Sequence, residues 1–245
     1  MSEEDGYFDE PVAARYDESH AEMFRPERVD PAVDLLAELA GKGRALELAI
    51  GTGRIAVPLA QRGVPVHGIE LSQAMAARLR EKPGAEEIDV TIGDFTTTKV
   101  DGTFAVAYLV FNTIQNVLTQ AEQVATFRNA AAHLDPGGCF VVEVMVPDLQ
   151  RLPPGEMSRP FNLSAEHVGL DEYDVATQHL WSHHFSLTDG SWRYVKMPFR
   201  YVWPAELDLM AELAGMTLRD RWDDWNREPF SSESRKHVSV WEKPR

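Results

Sequence analysis

The chain has 245 residues, 44% of them hydrophobic, which is enough to bury one large core or one core with a small added module. Its 39 acidic residues outnumber 24 basic ones, and the resulting charge of −15 disfavours binding to nucleic acid or to an anionic membrane. The single cysteine, Cys139, excludes an intramolecular disulfide and a cysteine-rich metal site. The acidic residues 1–9 contain no signal-peptide core, and no apolar stretch is long enough to span a membrane, so we expect a cytoplasmic protein.

Apolar strands and amphipathic helices alternate through the first 146 residues. Strands are predicted at 44–50, 64–69, 88–92, 104–111 and 140–146. Helices are predicted at 31–40, 54–62, 73–80 and from the cap Thr119 to about 134. This alternation predicts an α/β fold with a parallel sheet that is covered on both faces.

After residue 146 the pattern changes. Residues 147–154 contain three prolines and form a connection, and 161–203 are rich in aromatic residues, His and Thr, with a turn at Asp189-Gly190. This composition predicts an antiparallel β insertion, after which Pro204 begins a helix and two strands follow near 216–222 and 237–241. We therefore divide the chain into four parts: an N-terminal helical cap (1–30), a core (31–146), a β lid (147–203) and the completion of the core sheet (204–245).

Residues suited to binding an adenosine group follow three of the predicted strands. Gly51-Thr52-Gly53 lets the backbone approach a ligand closely, and Glu70 ends the next strand, where a carboxylate can accept hydrogen bonds from ribose hydroxyls. Asp94 can accept from an adenine amino group and Phe95 can cover the ring. The ends of parallel strands meet at one edge of a sheet, so these residues predict a nucleoside cofactor site.

Four segments resemble motifs of the class I S-adenosylmethionine (SAM)-dependent methyltransferases. They are Glu47-Leu48-Ala49-Ile50-Gly51-Thr52-Gly53 (motif I), Glu70-Leu71-Ser72 (ribose), Gly93-Asp94-Phe95 (adenine) and Leu134-Asp135-Pro136-Gly137-Gly138 (the turn before the fifth strand). The resemblance covers roughly 30–146, extends more loosely to 204–241, and points to the small-molecule branch with a β lid, which includes bacterial natural-product and sugar-amine methyltransferases. Ala49 departs from it, because many members carry glycine there.

The resemblance implies a Rossmann-like, mostly parallel sheet of seven strands whose last strand is antiparallel. It implies that SAM is the cofactor and S-adenosylhomocysteine the product. It also implies cofactor-binding roles for Tyr16, Glu47, Ala49, Gly51, Thr52, Gly53, Glu70, Leu71, Asp94, Phe95, Val110 and Asn112. In relatives a segment similar to Arg15-Tyr16-Asp17 closes over the cofactor, although ordinary helix packing explains Tyr16 equally well.

Two alternatives to a SAM-dependent enzyme remain open. Gly51-Thr52-Gly53-Arg54-Ile55-Ala56 also fits the fingerprint of an NAD(P)-dependent oxidoreductase, with Glu70 as its ribose acid. The acidic Glu47 within the strand and the pair Asp94-Phe95 favour SAM. A SAM-binding protein without catalysis would carry the same motifs, and only turnover distinguishes it.

The lid is expected to bind the acceptor, a small molecule methylated on N or O. Residues of one parity along 175–185 share a strand face: Val175, Thr177, His179, Trp181, His183 and Phe185. His183 is the candidate general base, with Tyr173, His179 and His184 as further candidates, although the same face could instead pack as core.

Further substrate-binding candidates are His179, Trp181, Arg200, Tyr201, Trp225 and Phe230. Arg200 could equally hold the lid through a salt bridge, and the segment around Trp225 could be a solvated loop. We expect no metal site, because His183-His184 and the scattered acids lack a ligand spacing. Exposed lid aromatics could also support a homodimer.

Overall fold

The computed structural model describes residues 8–188 and 190–245, so Asp189 of the expected lid turn and the first seven residues lie outside the described chain. Its strands, in chain order, are β1 (Ala45–Leu48), β2 (Val66–Glu70), β3 (Asp89–Ile92), β4 (Phe104–Leu109), β5 (Leu134–Met145), β6 (Ser158–Leu163), β7 (His167–Asp174), β8 (His179–Thr188), β9 (Ser191–Arg200), β10 (Thr217–Trp222) and β11 (Lys236–Glu242). Its α-helices are α1 (Glu10–Ala13), α2 (Tyr16–Ser19), α3 (Pro26–Ala40), α4 (Ala56–Gln61), α5 (Gln73–Arg80), α6 (Gln120–His133) and α7 (Pro204–Leu213).

The main sheet has seven strands in the order β10-β11-β5-β4-β1-β2-β3. Strands β1 to β5 pair in parallel, whereas β11 runs antiparallel to both of its neighbours, β5 and β10. The Rossmann-like sheet with an antiparallel last strand is thereby confirmed. From β1 the chain adds β2 and β3 on one side of the sheet, and it then crosses to β4 on the other side. Such a switch point creates the crevice in which sheets of this kind bind ligands.

Alternate side chains of the central strands enter two separate cores. Ala45 of β1 packs with α3 and α4 on one face, whereas Leu46 and Leu48 pack with α6 and α7 on the other. All four residues of β1 are buried, as expected for a strand that is covered on both sides. Glu47 is therefore a carboxyl group inside the first core.

Two element boundaries differ from the sequence-based expectation. Helix α3 begins at Pro26 and not at residue 31. A proline fits the first position of a helix because the N–H that it lacks would have no partner there, and the helix continues through Pro31. The turn at 135–138 is a bulge within β5, since Leu134 pairs with Phe104 and Cys139 with Val106. The N-terminal cap also continues into α3, past residue 30.

The expected lid is a second, wholly antiparallel sheet in the order β6-β7-β8-β9. Residues 175–178 form a turn, so the strand that was expected from Val175 begins at His179. Gly169 of β7 lies beneath the ring of Phe161, and a Cβ at this position would stand 2.3 Å from that ring. The glycine therefore lets β6 place its aromatic ring against the lid.

The helices within the described residues are too short or too polar to span a membrane.

Candidate functional site

A cavity of about 510 Å³ opens at the carboxyl ends of β1, β2 and β3. Its size is within the range of small-molecule and cofactor sites. The expected cofactor-binding residues that line it are Tyr16, Ala49, Gly51, Glu70, Leu71, Asp94 and Phe95. Residues from three separate strand ends therefore meet in one cavity, as their spacing in the sequence predicted.

The turn between β1 and α4 places its backbone at the cavity wall. Ala49 and Gly51 both have φ of 56°, and Gly53 has φ of 81°. A Cβ on Gly51 would lie 3.5 Å from Met75, which also lines the cavity, so the absent side chain widens the cavity here. Ala49 adopts the left-handed conformation despite its methyl group, at a cost of about 1 kcal/mol relative to glycine.

Glu70 ends β2 with its carboxylate held at the cavity wall. One oxygen accepts a 2.7 Å hydrogen bond from the Gly51 amide, and the other accepts a 2.9 Å bond from the Ser72 amide. The side chain is buried, and these two bonds fix its direction. A carboxylate in this position suits the two hydroxyls of a ribose.

Another part of the cavity wall presents a polar group beside apolar surface. Leu71 is 45% exposed although it is a large apolar residue, which provides a platform for a flat ring. The Asp94 carboxylate accepts from the amide of Thr96 at 2.8 Å, so it also caps the local turn. Phe95 lies next to it in the cavity wall.

Other residues expected to bind the cofactor lie behind the wall or beyond the cavity. Glu47 is buried, and its carboxyl group accepts a 3.0 Å hydrogen bond from the Tyr108 hydroxyl. Burial raises the pKa of Glu47 to about 8. The Thr52 hydroxyl donates to the Asp17 carboxylate at 2.6 Å and so connects the turn after β1 to α2. Gly53 and Val110 are buried and do not line the cavity.

The N-terminal segment, residues 8–24, covers the cofactor cavity. The Ser72 hydroxyl donates to the Phe8 carbonyl at 2.5 Å, and Lys82 pairs with Asp17. Tyr16 packs edge-on against Phe8 and lies 4.4 Å from the ring of His20. Burial raises the pKa of the Tyr16 hydroxyl above its usual value.

A second cavity, of about 680 Å³, adjoins the first beneath the lid. Phe8, Tyr16, Thr113 and Asn116 line both cavities. Asn112, expected at the cofactor, lines this second cavity. A ligand in either cavity therefore faces the same four side chains at the junction.

The segment after β4 reaches this junction in a strained conformation. Phe111 and Asn112 have φ of 59° and 63°, which non-glycine residues rarely adopt. The Phe111 amide donates to the Glu143 carboxylate at 3.0 Å, and the Asn112 side chain accepts from the Met145 amide at 2.8 Å. Strand β5 thus holds two strained residues in place, a feature that is common at functional sites.

The inner face of the lid, and not the face that was expected, lines the second cavity. Leu180, Ser182 and His184 of β8 point into it, together with Asp171 of β7. His183 lies on the outer face, where its imidazole contacts Glu172 at 3.1 Å and the Tyr194 hydroxyl at 2.7 Å. Strand alternation separates the two faces of β8 but does not show which face lies toward the cavity, so the prediction of the face with His183 was wrong.

Of the further base candidates, His184 lines the second cavity, whereas the remaining base and substrate candidates lie outside it. His179 stacks on Trp181 on the outer lid face, and Tyr173 packs against Tyr201 in a small core under the lid. Buried Arg200 forms a 2.8 Å salt bridge with Glu206, which is the structural role considered above. Trp225 is part of the main core, and Phe230 packs against His237.

Asp171 and Ser182 are cavity residues that sequence reasoning did not identify. They are directly opposite each other across β7 and β8. Pairing the two strands as a hairpin would have placed Asp171 on the same face as His184, which is the signal that could have found it. Burial raises the pKa of Asp171 and, mainly through desolvation, lowers that of His184.

A seven-stranded, mostly parallel sheet with the antiparallel strand β11, and a cavity at the carboxyl ends of β1 to β3, is the architecture of the class I SAM-dependent methyltransferases. A family model described as a methyltransferase domain matches residues 45–138. The CcbJ methyltransferase from Streptomyces caelestis is 37% identical, with a TM-score of 0.87 over 99% of this chain and 100% of that one. The chain therefore belongs to the methyltransferase family, it is an enzyme, and SAM is its cofactor.

Two further relatives agree with this assignment. The cypemycin N-terminal methyltransferase of a Streptomyces species is 27% identical over 240 residues, which cover 93% of this chain and 97% of that protein. SAM-bound CalS10, an amino pentose methyltransferase from Micromonospora echinaspora, shares the fold with a TM-score of 0.68 at 19% identity over 93% and 96% of the two chains. The alternatives of a nicotinamide oxidoreductase and a non-catalytic SAM-binding protein are set aside.

Proposed function

We propose that this enzyme transfers the methyl group of SAM to a nitrogen atom of a small organic amine. The observation that carries the proposal is the carboxylate of Asp171 in the lid cavity next to the cofactor cavity. Most of the surface around it is apolar, supplied by residues such as Leu180, Met197 and Phe199. A partly buried carboxylate in such surroundings favours a cationic or hydrogen-bond-donating partner, and an amine is both.

The cofactor residues fall into three proposed roles. Glu70 would hold the ribose, Leu71, Asp94 and Phe95 would frame the adenine, and the turn at 49–53 would line the methionine part. Glu47, Thr52, Gly53 and Val110 would act from behind the wall by fixing that turn and the end of β4. SAM supplies a methyl group already activated by its sulfonium, so these residues need only orient and shield it.

Tyr16, Thr113 and Asn116 would surround the reacting atoms, because they line both cavities. Asn112 would position the acceptor from the strained turn after β4. The names of two relatives agree with an acceptor that carries an amine, since one is described as an N-terminal methyltransferase and the other as an amino pentose methyltransferase. The proposed acceptor is thus an amine with an apolar or sugar-like body that fits about 680 Å³.

The test is a measurement of S-adenosylhomocysteine formation over a panel of primary and secondary amines, each paired with its hydroxyl analogue. We expect turnover with amines and at most about 1% of that rate with the matched alcohols, because an alcohol does not pair as a cation with Asp171. Asp171→Asn should raise the KM for the amine about 10- to 100-fold, through the loss of a charge-assisted hydrogen bond. Turnover of the alcohols in preference to the amines would overturn the proposal.

A further inference from the structure

Two histidine side chains of the described chain line the second cavity, the proposed acceptor cavity: His184 from the lid and His20 from the N-terminal segment. Both nitrogens of His184 lie within hydrogen-bond distance of lid groups, Nε2 at 3.1 Å from the Ser182 hydroxyl and Nδ1 at 3.1 Å from Nε2 of His167. The His184 ring is therefore committed to the lid. His20 differs, because only one of its ring nitrogens has a partner among the described residues.

The hydrogen bond of His20 determines which of its nitrogens carries the proton. Nδ1 lies 2.9 Å from the backbone carbonyl oxygen of Tyr16, one helical turn earlier, and a carbonyl oxygen can only accept. Nδ1 therefore donates, and in the neutral ring Nε2 holds a lone pair. This assignment follows from the hydrogen bond and not from observed hydrogens. His20 thus brings a proton-accepting nitrogen to the wall of the acceptor cavity.

Two aromatic rings hold the His20 imidazole beside the junction of the two cavities. The Tyr16 ring lies 4.4 Å from it at an angle of 31°, and Tyr16 lines both cavities. The Phe111 ring packs against it at 82°, with the centroids 5.9 Å apart. Phe111 is one of the two strained residues after β4, and its amide is held by the Glu143 carboxylate. The imidazole is therefore restrained on the side of the acceptor cavity that adjoins the cofactor cavity.

One carboxylate shares the acceptor cavity with His20. The charged and titratable groups on the surrounding elements are Arg15, Tyr16 and Asp17 on its own segment, Arg54 at 4.9 Å from the Phe111 ring, and Asp171 and His184 on the lid. Asp17 is bonded to Thr52 and paired with Lys82, outside the cavity lining. Asp171 is thus the one carboxylate among the described residues that line the cavity. A cationic acceptor meets a carboxylate that can pair with it and an imidazole nitrogen that can receive its proton.

We propose that Nε2 of His20 is the general base that takes the proton of the amine acceptor. The inference rests on the proposed function, because an amine that pairs with Asp171 as an ammonium ion has no lone pair until a proton leaves. The ammonium N–H bond breaks, its electron pair stays on nitrogen, and the proton goes to Nε2. That electron pair forms the new N–C bond while the bond between methyl and sulfur breaks and leaves its electrons on sulfur. The imidazolium, which is partly exposed, then returns the proton to water.

A first experiment tests the state of His20 without any acceptor. Two-dimensional ¹⁵N NMR of protein with labelled histidine reports the tautomer of each imidazole, and His20→Phe identifies the His20 signals by their loss. We expect a neutral Nδ1–H tautomer for His20 in the complex with S-adenosylhomocysteine. His179→Phe, which removes an imidazole from the outer lid face, is the control and should leave those signals in place. An Nε2–H tautomer would overturn the proposal whatever the acceptor proves to be, because Nε2 would have no lone pair.

A second experiment compares an alkylamine from the panel with a fluorinated analogue of weaker basicity, which is largely neutral at the assay pH. We expect His20→Phe, which keeps a ring against Tyr16 and Phe111, to lower kcat for the alkylamine about 100-fold with little change in KM, because a base acts in the proton step and not in binding. The fluorinated amine already has its lone pair, so its kcat should fall by less than about threefold. A structural defect would slow both amines equally.

The dependence of kcat on pH provides a third measurement. In the wild type, kcat for the alkylamine should rise with pH and level off once the imidazole is neutral. In His20→Phe it should continue to rise until the amine itself is neutral, because only water then removes the proton. His184→Phe makes the same change at the other imidazole of the cavity and should keep the plateau. Free imidazole should restore kcat in His20→Ala.

Calorimetric binding of S-adenosylhomocysteine confirms that each variant is folded. Wild-type kcat for the alkylamine in His20→Phe, or an equal loss for both amines, would overturn the role of His20 while leaving amine methylation intact. Failure of every amine in the wild type would instead overturn the proposed function. The two proposals can therefore fail separately.

Discussion

Glu70 shows how a single carboxylate can connect two turns at the wall of a cavity. Its oxygens accept from the amides of Gly51 and Ser72, which belong to the turns that follow β1 and β2. The same group therefore shapes the turn that lines the cavity and faces the cavity itself. A substitution here should affect binding of the cofactor more than the fold.

We expect Glu70→Gln to weaken binding of SAM and S-adenosylhomocysteine about 10- to 100-fold, the equivalent of one charged hydrogen bond. The amide nitrogen of glutamine donates, so it cannot satisfy both backbone amides. Titration calorimetry measures the two affinities, and Glu81→Gln, an exposed carboxylate at the end of α5, serves as the control. Unchanged affinity in Glu70→Gln would contradict the assigned ribose role.

The residues that line the first cavity could be predicted from the sequence because each depends on local chemistry. A glycine turn, an acid that ends a strand and an acid followed by an aromatic residue are recognisable without knowing the fold. Asp171 could not be found in this way, because nothing next to it in the chain marks it. Its significance comes from pairing with β8, a contact made only in the folded lid.

At the scale of elements, the sequence pattern located every strand of the main sheet and the helices α3 to α7 that cover it. The signal was clearest for β1, β4 and β11, which are buried on both faces. The sequence pattern of the lid strands was less informative. Both of its faces combine aromatic and histidine side chains, so the pattern separated the faces but did not say which one turns toward the active site. That choice depends on how the lid sheet packs against the N-terminal segment and the end of β4.

The contact between Gly169 and Phe161 should hold β6 and β7 of the lid together. We expect Gly169→Ala to destabilise the protein by about 1 kcal/mol, because its Cβ overlaps the end of a phenyl ring that is 49% exposed and can partly turn aside. In a Phe161→Ala background most of this penalty should disappear, since the overlapping atoms are gone. Urea unfolding of the two single variants and the double variant gives the coupling energy. Additive effects would show that the ring does not determine the need for glycine.

At the scale of the whole molecule, two buried groups with opposite pKa shifts shape the dependence of stability on pH. Burial raises the pKa of Glu47 from 4.5 to about 8. Between these two pH values the carboxyl group is protonated in the native state and ionised in the unfolded state, so stability falls as pH rises. Burial lowers the pKa of His237 from 6.5 to about 3, so stability falls as pH drops through that range. The two slopes oppose each other between pH 4.5 and 6.5.

We therefore expect the free energy of unfolding to be greatest in mild acid and to decline by roughly 2 kcal/mol from pH 6.5 to 8. Glu47→Gln should abolish this decline, because an amide keeps the Tyr108 hydrogen bond and carries no charge at any pH. Urea unfolding across this range measures the effect, with Glu212→Gln, an exposed residue of α7, as the control. If the decline persisted in Glu47→Gln, titration of other groups would be its cause.

The N-terminal segment has a consequence for the order of events during turnover. Phe8 and Tyr16 belong to the walls of both cavities, so the acceptor cavity is complete only when this segment lies against the cofactor side. An acceptor that bound first would meet an open, water-filled groove and would obstruct the entry of SAM. The enzyme should therefore follow compulsory-order kinetics, with SAM binding first and S-adenosylhomocysteine leaving last. In initial-rate measurements, S-adenosylhomocysteine should then inhibit competitively against SAM and non-competitively against the amine.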